Sequence, residues 1–341
     1  MAILDVIIPT YNNKMGLHKS LMSIGPVEEV AVTIIDDCSS PEINYDDIIN
    51  YFSQFFNIRV LKTKENGGPG AARQFGLDHT FNELITFLDC GDVFYSTQSI
   101  PLMIDSLLSN EELNFCSFAH YDNNADFLDL NYTATYHNRI HGKVYRRTFL
   151  KRYGIKFCKE NEASRANEDI CFNILCRMIS ANENRENCVG FNDFGAVIWE
   201  SDPTSISRKE ECAFYYREQN MGLAKNFEHI LNIAKKNKVR DEIIHNEIYN
   251  VFSSIHTFYL STKTRRPEYL NESFKGALYF YKHCFKIIEE VNWDALRTHS
   301  YNTICDCLRD ETDPLYDNFC SLNILDFIDE LEEALNKEEK E

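Results

Sequence analysis

The chain has 341 residues, of which 44% are hydrophobic and 26% charged, and a formal net charge of −18. These values describe a globular, water-soluble protein of one large or two ordinary domains. They argue against broad, sequence-blind attraction to nucleic acid or other polyanions, and no apolar run approaches the roughly 18 residues a membrane span needs.

In chain order, residues 1–9 lack the basic start and small-residue cleavage site of a secretion signal, and Asp5 interrupts their apolar run. A cytoplasmic protein that is never exported is therefore expected. Residues 3–8 are apolar and β-branched and end at Pro9, which predicts a first strand. A loop at Thr10-Tyr11-Asn12-Asn13 leads into a helix over 15–24, with Leu17, Leu21 and Ile24 at helical spacing. A second strand over 30–35 ends in Asp36-Asp37-Cys38-Ser39-Ser40, and a helix over 43–56 follows. A third strand over 58–61 precedes Asn66-Gly67-Gly68-Pro69-Gly70, which opens a helix through Leu77. Residues 84–88 form a fourth strand, ending in Asp89-Cys90-Gly91-Asp92.

This alternation predicts βαβ units and a parallel sheet. Parallel strands bring their C-terminal ends to one edge, so Tyr11, Asp37, Gly67 to Gly70 and Asp89 to Asp92 should meet there. Two carboxylates flanking a glycine offer hard oxygen ligands suited to Mg²⁺ or Mn²⁺; an ordinary Asp/Gly turn reads the same way. The glycine loop matches neither G-x-G-x-x-G nor the P-loop pattern. It is either an anion-holding helix start or a plain turn before a Pro-initiated helix.

Residues 115–121 predict another strand, and 122–138 a polar, aromatic-rich loop. His137 and His141 are candidate metal or substrate ligands, or ordinary loop residues. Lys143, Arg146, Arg147, Lys151 and Arg152 form one basic cluster, and Lys263, Arg265 and Arg266 another. The first could steady phosphate charge or form a salt-bridged surface. Glu168-Asp169 opens a helix where acids are favoured. After about residue 210 the signals are helical: 214–234, 243–260, 274–288 and 322–335, with a frayed acidic tail at 336–341. Twelve cysteines without a C-x-x-C pair predict free thiols packed as small hydrophobes.

Asp5-Val-Ile-Ile-Pro-Thr-Tyr-Asn12, Ile35-Asp-Asp-Cys-Ser39, Asn66-Gly-Gly-Pro-Gly-Ala-Ala-Arg73 and Phe87-Leu-Asp-Cys-Gly-Asp92 together resemble the successive motifs of family 2 glycosyltransferases with the GT-A fold. His141-Gly-Lys-Val-Tyr-Arg-Arg147, Asn167-Glu-Asp169 and Ser205-Ile-Ser-Arg208 extend the resemblance to about residue 210. It implies an α/β GT-A catalytic domain with a mainly parallel, Rossmann-like sheet over 1–210. A helical domain over 211–341 would shape the acceptor site or make a homodimer.

The resemblance implies a nucleotide and donor site at Pro9, Thr10, Tyr11, Asp37, Gly68, Arg73, Asp89, Cys90 and Gly91, with Asp37 accepting from the uracil ring. It implies Asp92, helped by Asp89, as ligands of Mn²⁺ or Mg²⁺, and Asp169 as general base beside Glu168. His141, Lys143, Arg146 and Arg208 are acceptor or phosphate candidates. The implied activity is non-processive, inverting transfer of one sugar from a UDP-sugar to a hydroxyl acceptor, such as a glycan or a hydroxymethylated DNA base. The family usually has Asp-x-Asp-Asp where this chain has Asp89-Cys-Gly-Asp92, so a non-catalytic sugar-nucleotide or glycan-binding module is the alternative.

Overall fold

The computed structural model describes residues 2–123, 130–133, 138–159, 165–183, 188–200, 213–307, 323–338 and 340. Strands β1 (Leu4–Thr10), β2 (Val30–Asp36), β3 (Asn57–Lys62) and β4 (Leu84–Phe87) form a parallel half-sheet in the order 3-2-1-4. Leu4 lies opposite both Val30 and Leu84, so all three strands start together; β1 and β2 end level at Thr10 and Asp36, and β4 stops at Phe87 opposite Ile7. The β-branched runs of β1 and β2 are buried along nearly their whole length, as strands covered on both faces require. Between them run α1 (Lys14–Ile24), α2 (Asp46–Phe52) and α3 (Pro69–His79). Asn13 caps α1 by accepting from Gly16 N–H at 2.8 Å.

Beyond β4 the strand direction changes. The chain adds β5 (Val93–Phe94), α4 (Ser99–Leu108), β6 (Phe115–Asn123), β7 (Leu130–Thr133), β8 (Lys143–Arg146), α5 (Arg147–Tyr153), α6 (Glu168–Asn182) and β9 (Val189–Glu200). β8 lies antiparallel between β4 and β6, β9 runs parallel to β6, and β5 closes the far edge. Among the described residues nine strands make one sheet, 3-2-1-4-8-6-9-5 with β7 on β6. Alternation along β1 serves both faces. Leu4, Val6 and Ile8 join the cluster under α1, α2 and α4, and Ile7 faces the side of α3, α5 and α6.

The C-terminal part is helical as expected: α7 (Ala213–Lys236), α8 (Asp241–Arg265), α9 (Leu270–His283), α10 (Trp293–Cys307) and α11 (Ile324–Glu338). Phe252 sits at its centre, with ring centroids 4.7 Å from Phe285 and 6.1 Å from Phe280. The apolar cluster runs unbroken from Ile7 and Phe87 through Phe172 and Leu175 to Phe227, Phe252 and Phe327. Sheet and helices thus share one core. The expected boundary at residue 210 lies outside the described residues.

Beyond the elements read from the sequence, the structure adds β5, α4, β8, α5, β9 and α10, and it places β7 within the expected loop over 122–138. The tail placed at 336–341 is partly helical, since α11 continues to Glu338. Among the described residues no helix is long and apolar enough to cross a membrane.

Candidate active site

The C-terminal edge of the parallel strands opens into a cleft of about 480 Å³, lined from one end by Pro9, Thr10 and Tyr11. Thr10 is buried, while Tyr11 stands half-exposed at the lip. Asp37, just past β2, is 4% exposed and holds the glycine loop. Its Oδ2 accepts from Gly68 N–H at 2.7 Å, and its Oδ1 from Gly67 N–H at 3.1 Å and Thr63 Oγ1 at 3.0 Å. Gly68 has φ +85 and precedes Pro69, the first residue of α3, so the loop turns sharply and presents a helix start to the cleft. Gly68, Arg73 and Asp37 all line it.

The acidic run after β4 is a tight turn. Asp92 N–H donates to the Asp89 carbonyl at 2.9 Å. Ser20 on α1 donates to the Asp92 carbonyl at 2.8 Å and accepts from Gly91 N–H at 2.9 Å. Gly91 has φ +111, a region that residues with a Cβ rarely adopt. This explains why a carboxylate is absent there. The space beside Gly91 is open, with only Asn13 Nδ2 at 4.0 Å, so the penalty of a side chain lies in the backbone. Gly91→Asp is expected to cost about 1–3 kcal/mol of stability without raising activity, as read by urea denaturation beside a turnover assay. Cys90 lines the cleft, its sulfur 3.3 Å from Thr10 Oγ1 and from the Asn13 carbonyl.

Asp89, Asp92 and His141 place one ligand atom each within 4.8 Å of the others. Arg73 takes Asp89 Oδ1 at 2.6 Å, and Glu200 N–H takes Asp92 Oδ1 at 3.0 Å. The buried Asp92 Oδ2 accepts no hydrogen bond of good geometry and faces His141 Nδ1 at 3.3 Å. Burial raises the Asp92 pKa, with the His141 ring opposing and the Asp89 charge adding. For Asp89, burial is outweighed by the charges of Arg73 and His141, which lower it. A buried carboxylate oxygen short of a donor, beside a second acid and an imidazole, fits a divalent cation.

Arg73 of α3 is buried and forked: one arm reaches Asp89, and the other reaches Glu168 Oε1 at 2.7 Å. Burial disfavours its charge, but Asp89, Glu168 and Asp169 more than compensate and raise its pKa. Glu168 and Asp169 form the first turn of α6 after Asn167, which has φ +61. Asp169 is half-buried, lines the cleft, and accepts from Ile140 N–H at 3.3 Å.

One guanidinium cannot neutralise three acids, and Glu168 is the one that gives way. Burial first, then the Asp169 charge, push its pKa to about 7 against the pull of Arg73. A pKa raised above its ordinary 4.5 contributes stability that is full below pH 4.5 and lost as pH rises through about 7. Between pH 4.5 and 7.5, stability should therefore move in favour of Glu168→Gln relative to the wild type, as measured by the urea midpoint at each pH.

The structure corrects the first basic cluster. Lys143 is 1% exposed and does not line the cleft; its Nζ donates to the Arg139 carbonyl. Burial lowers its pKa to about 7, with Asp169 opposing. Arg146 also points away. It donates to the carbonyls of Leu113, Leu107 and Asn110 and pairs with Glu83 at 3.0 Å, closing the C-terminal end of α4. Arg147 is buried against Asp5 at 2.8 Å. These three charges face carbonyls and acids inside the fold, whereas Lys151 and Arg152 of the same cluster are exposed. His141 does line the cleft. Arg208 and His137 lie outside the described residues.

Among the cleft residues missed in the sequence are Arg139, Arg165 and Trp199. Arg139 lies over the Trp199 ring at 4.6 Å, and Trp199 lies 5.7 Å from the His141 ring. Arg165 donates to the Asn66 carbonyl at 2.9 Å. Gln219 of α7 also lines the cleft, and its carbonyl accepts from Asn167 Nδ2 at 3.1 Å. The helical part thus contributes to the site.

A parallel half-sheet ending in a held glycine loop, an acidic turn and a candidate Asp/Asp/His cation site thus meet at one edge of the sheet. Residues 5–165 match the family model "Glycosyl transferase family 2". The matched stretch runs from β1 to the segment just before α6.

Relatives cover limited stretches. An "Uncharacterized glycosyltransferase" of Haemophilus influenzae is 28% identical over 112 residues, 32% of this chain and 44% of that protein. "Succinoglycan biosynthesis protein ExoW" of Rhizobium meliloti is 34% identical over 99 residues, 28% of this chain and 31% of that protein. The chain spans less than half the length of these curated relatives. Among solved structures, S. aureus TarS 1-349 in complex with UDP aligns at 18% identity and a TM-score of 0.49, over 91% of this chain and 93% of that one.

Proposed function

We propose that this chain moves a single sugar from a UDP-sugar to a hydroxyl acceptor with inversion at the anomeric carbon. The observation that carries the reading is the meeting of Asp37 with its glycine loop, the Asp89/His141 side of the candidate cation site, and Asp169 in one cleft. In this reading the uracil lies against Thr10 and the half-exposed Tyr11 ring, with a remaining lone pair of Asp37 accepting from it. Asp89, Asp92 and His141 hold the cation, and an imidazole among the ligands favours Mn²⁺ over Mg²⁺. When bound, the cation stabilises the charge that develops on the leaving UDP, as a Lewis acid.

The protein's own residues do the rest. Arg73 fixes Asp89 on one side and the Glu168 turn on the other, so the donor site and the base keep a constant separation. Asp169 removes the proton of the acceptor hydroxyl as the new oxygen–carbon bond forms and the bond to UDP breaks. Attack from the face opposite the leaving group inverts the carbon. We take the acceptor to be a glycan, because Lys143, Arg146 and Arg147 of the cluster from Lys143 to Arg152 are spent inside the fold and only Lys151 and Arg152 of it are exposed.

UDP release from a panel of UDP-sugars with glycan acceptors, with and without Mn²⁺, tests the reading. The expected result is metal-dependent release with one preferred donor. Tight UDP binding without turnover of any donor would leave a binding module, the reading that Gly91 in place of an acid favours.

A further inference from the structure

The helix turn that carries Asp169 and the loop over 138–142 are tied together by one buried amide. Asn173 has no exposed surface and lies one turn beyond Asp169 on α6. Its Nδ2 donates to the Asn138 carbonyl at 3.3 Å and to the Asp169 carbonyl at 3.0 Å. Tyr145 of β8, also fully buried, donates its hydroxyl to Asn173 Oδ1 at 2.6 Å. The two carbonyls, which can only accept, decide the orientation of the amide: the NH₂ faces them, and the oxygen faces the Tyr145 hydroxyl.

Two residues past Asn138, Ile140 N–H donates to the Asp169 carboxylate at 3.3 Å. Asp169 is therefore fastened to this loop twice, by its main chain through Asn173 and by its carboxylate through Ile140. Lys143 holds the intervening Arg139 carbonyl from below. The same loop carries His141, 3.3 Å from Asp92. An apolar residue at 173 would fill the space beside the Tyr145 and Phe172 rings, which lie 5.6 Å apart, but it could make none of these bonds.

We propose that Asn173, oriented by Tyr145, is a positioning residue that sets the Asp169 carboxylate relative to the 138–142 loop, and through it relative to the cation site. The inference rests on Asp169 being the base and adds what holds it in place. Asn173 touches neither donor nor acceptor; it acts on geometry that a displacement of about 1 Å would cost roughly 10²-fold in rate.

The test uses the full chain, with UDP binding sites counted to normalise kcat to folded protein. Tyr145→Phe keeps the ring and removes only the hydroxyl. The double variant Tyr145→Phe/Asn173→Leu removes both partners of that bond, so no orphaned hydroxyl or amide remains between them, while the Asn138 and Asp169 carbonyls lose the amide donor. The expected result is a kcat lowered by roughly 10²-fold in the double variant and by a smaller factor in Tyr145→Phe. Donor KM should be unchanged in both, because the Asp37 loop is untouched. Adding the pair to Asp169→Asn should bring no further loss, since the three act as a unit.

A double variant with wild-type kcat per UDP site overturns the inference, and so does a loss that only tracks the number of sites. Asp169→Asn run in parallel separates the two claims. If that variant loses transfer while the double variant does not, the positioning role alone fails. If it keeps transfer, the base assignment fails first.

Discussion

Asp169→Asn is expected to keep the fold and the UDP affinity of the wild type while losing about 10²- to 10⁴-fold in kcat, the range over which a positioned base contributes. The substitution is close to isosteric. Asp169 sits half-buried in the first turn of α6, and its side chain accepts a hydrogen bond from Ile140 N–H at 3.3 Å. An amide oxygen can accept the same bond, so local structure is preserved while the capacity to take a proton is lost. The acceptor alcohol then remains a poor nucleophile at the moment of attack. Because this interaction matters only in the transition state, kcat and kcat/KM should fall together with donor KM constant. Steady-state kinetics beside circular dichroism measure it, and a folded variant with wild-type kcat would remove Asp169 from the mechanism.

Asp92→Asn should separate cation binding from folding. With Mn²⁺ at a hundred times its Kd, the wild type gains about 2.7 kcal/mol of stability; the variant should gain a small fraction of that. Transfer should fall to the level of chelator-treated wild type. The metal-free proteins should differ in the opposite sense. Burial, the largest influence, raises the Asp92 pKa above 3.8. The group therefore contributes stability at low pH, lost as pH rises through the folded pKa. Above that pKa the buried carboxylate is a penalty that asparagine does not carry, so there the metal-free variant should melt no lower than the metal-free wild type. Thermal melts with and without Mn²⁺ read both effects. Equal Mn²⁺ stabilisation of the two proteins would exclude Asp92 as a ligand.

The parallel half of the sheet was legible because its strands are local, apolar and each followed by a polar or glycine-rich break. Thr10, Asp37, Gly68 and Asp89 reach the cleft for that reason alone: they follow parallel strands that end on one edge. β9 was hidden because two register shifts against β6 break its alternation near Asn192 and Asp193. α10 was hidden because its polar, weakly amphipathic sequence carries little helical pattern.

Charge was the least legible property. Lys143 and Arg146 look like surface residues by type, yet one is sealed behind Asp169 and the other braces α4. Only tertiary context tells a guanidinium that binds carbonyls from one that awaits a ligand. Arg139, Arg165 and Trp199 carry no motif of their own. They enter the cleft because a mixed half-sheet returns the chain to the edge where the parallel half ended.

The continuity of Phe87, Phe172, Phe227 and Phe252 in one apolar cluster also bears on modularity. A fragment ending near residue 210 would leave the outer surface of α6, with Leu175 and Ile179, in water without the helices that cover it. Such a fragment would be sticky and only loosely ordered, however complete its catalytic motifs. The C-terminal helices cannot be traded for another appendage as a bolt-on module: they are the second wall of the enzyme, and both halves should melt in a single transition.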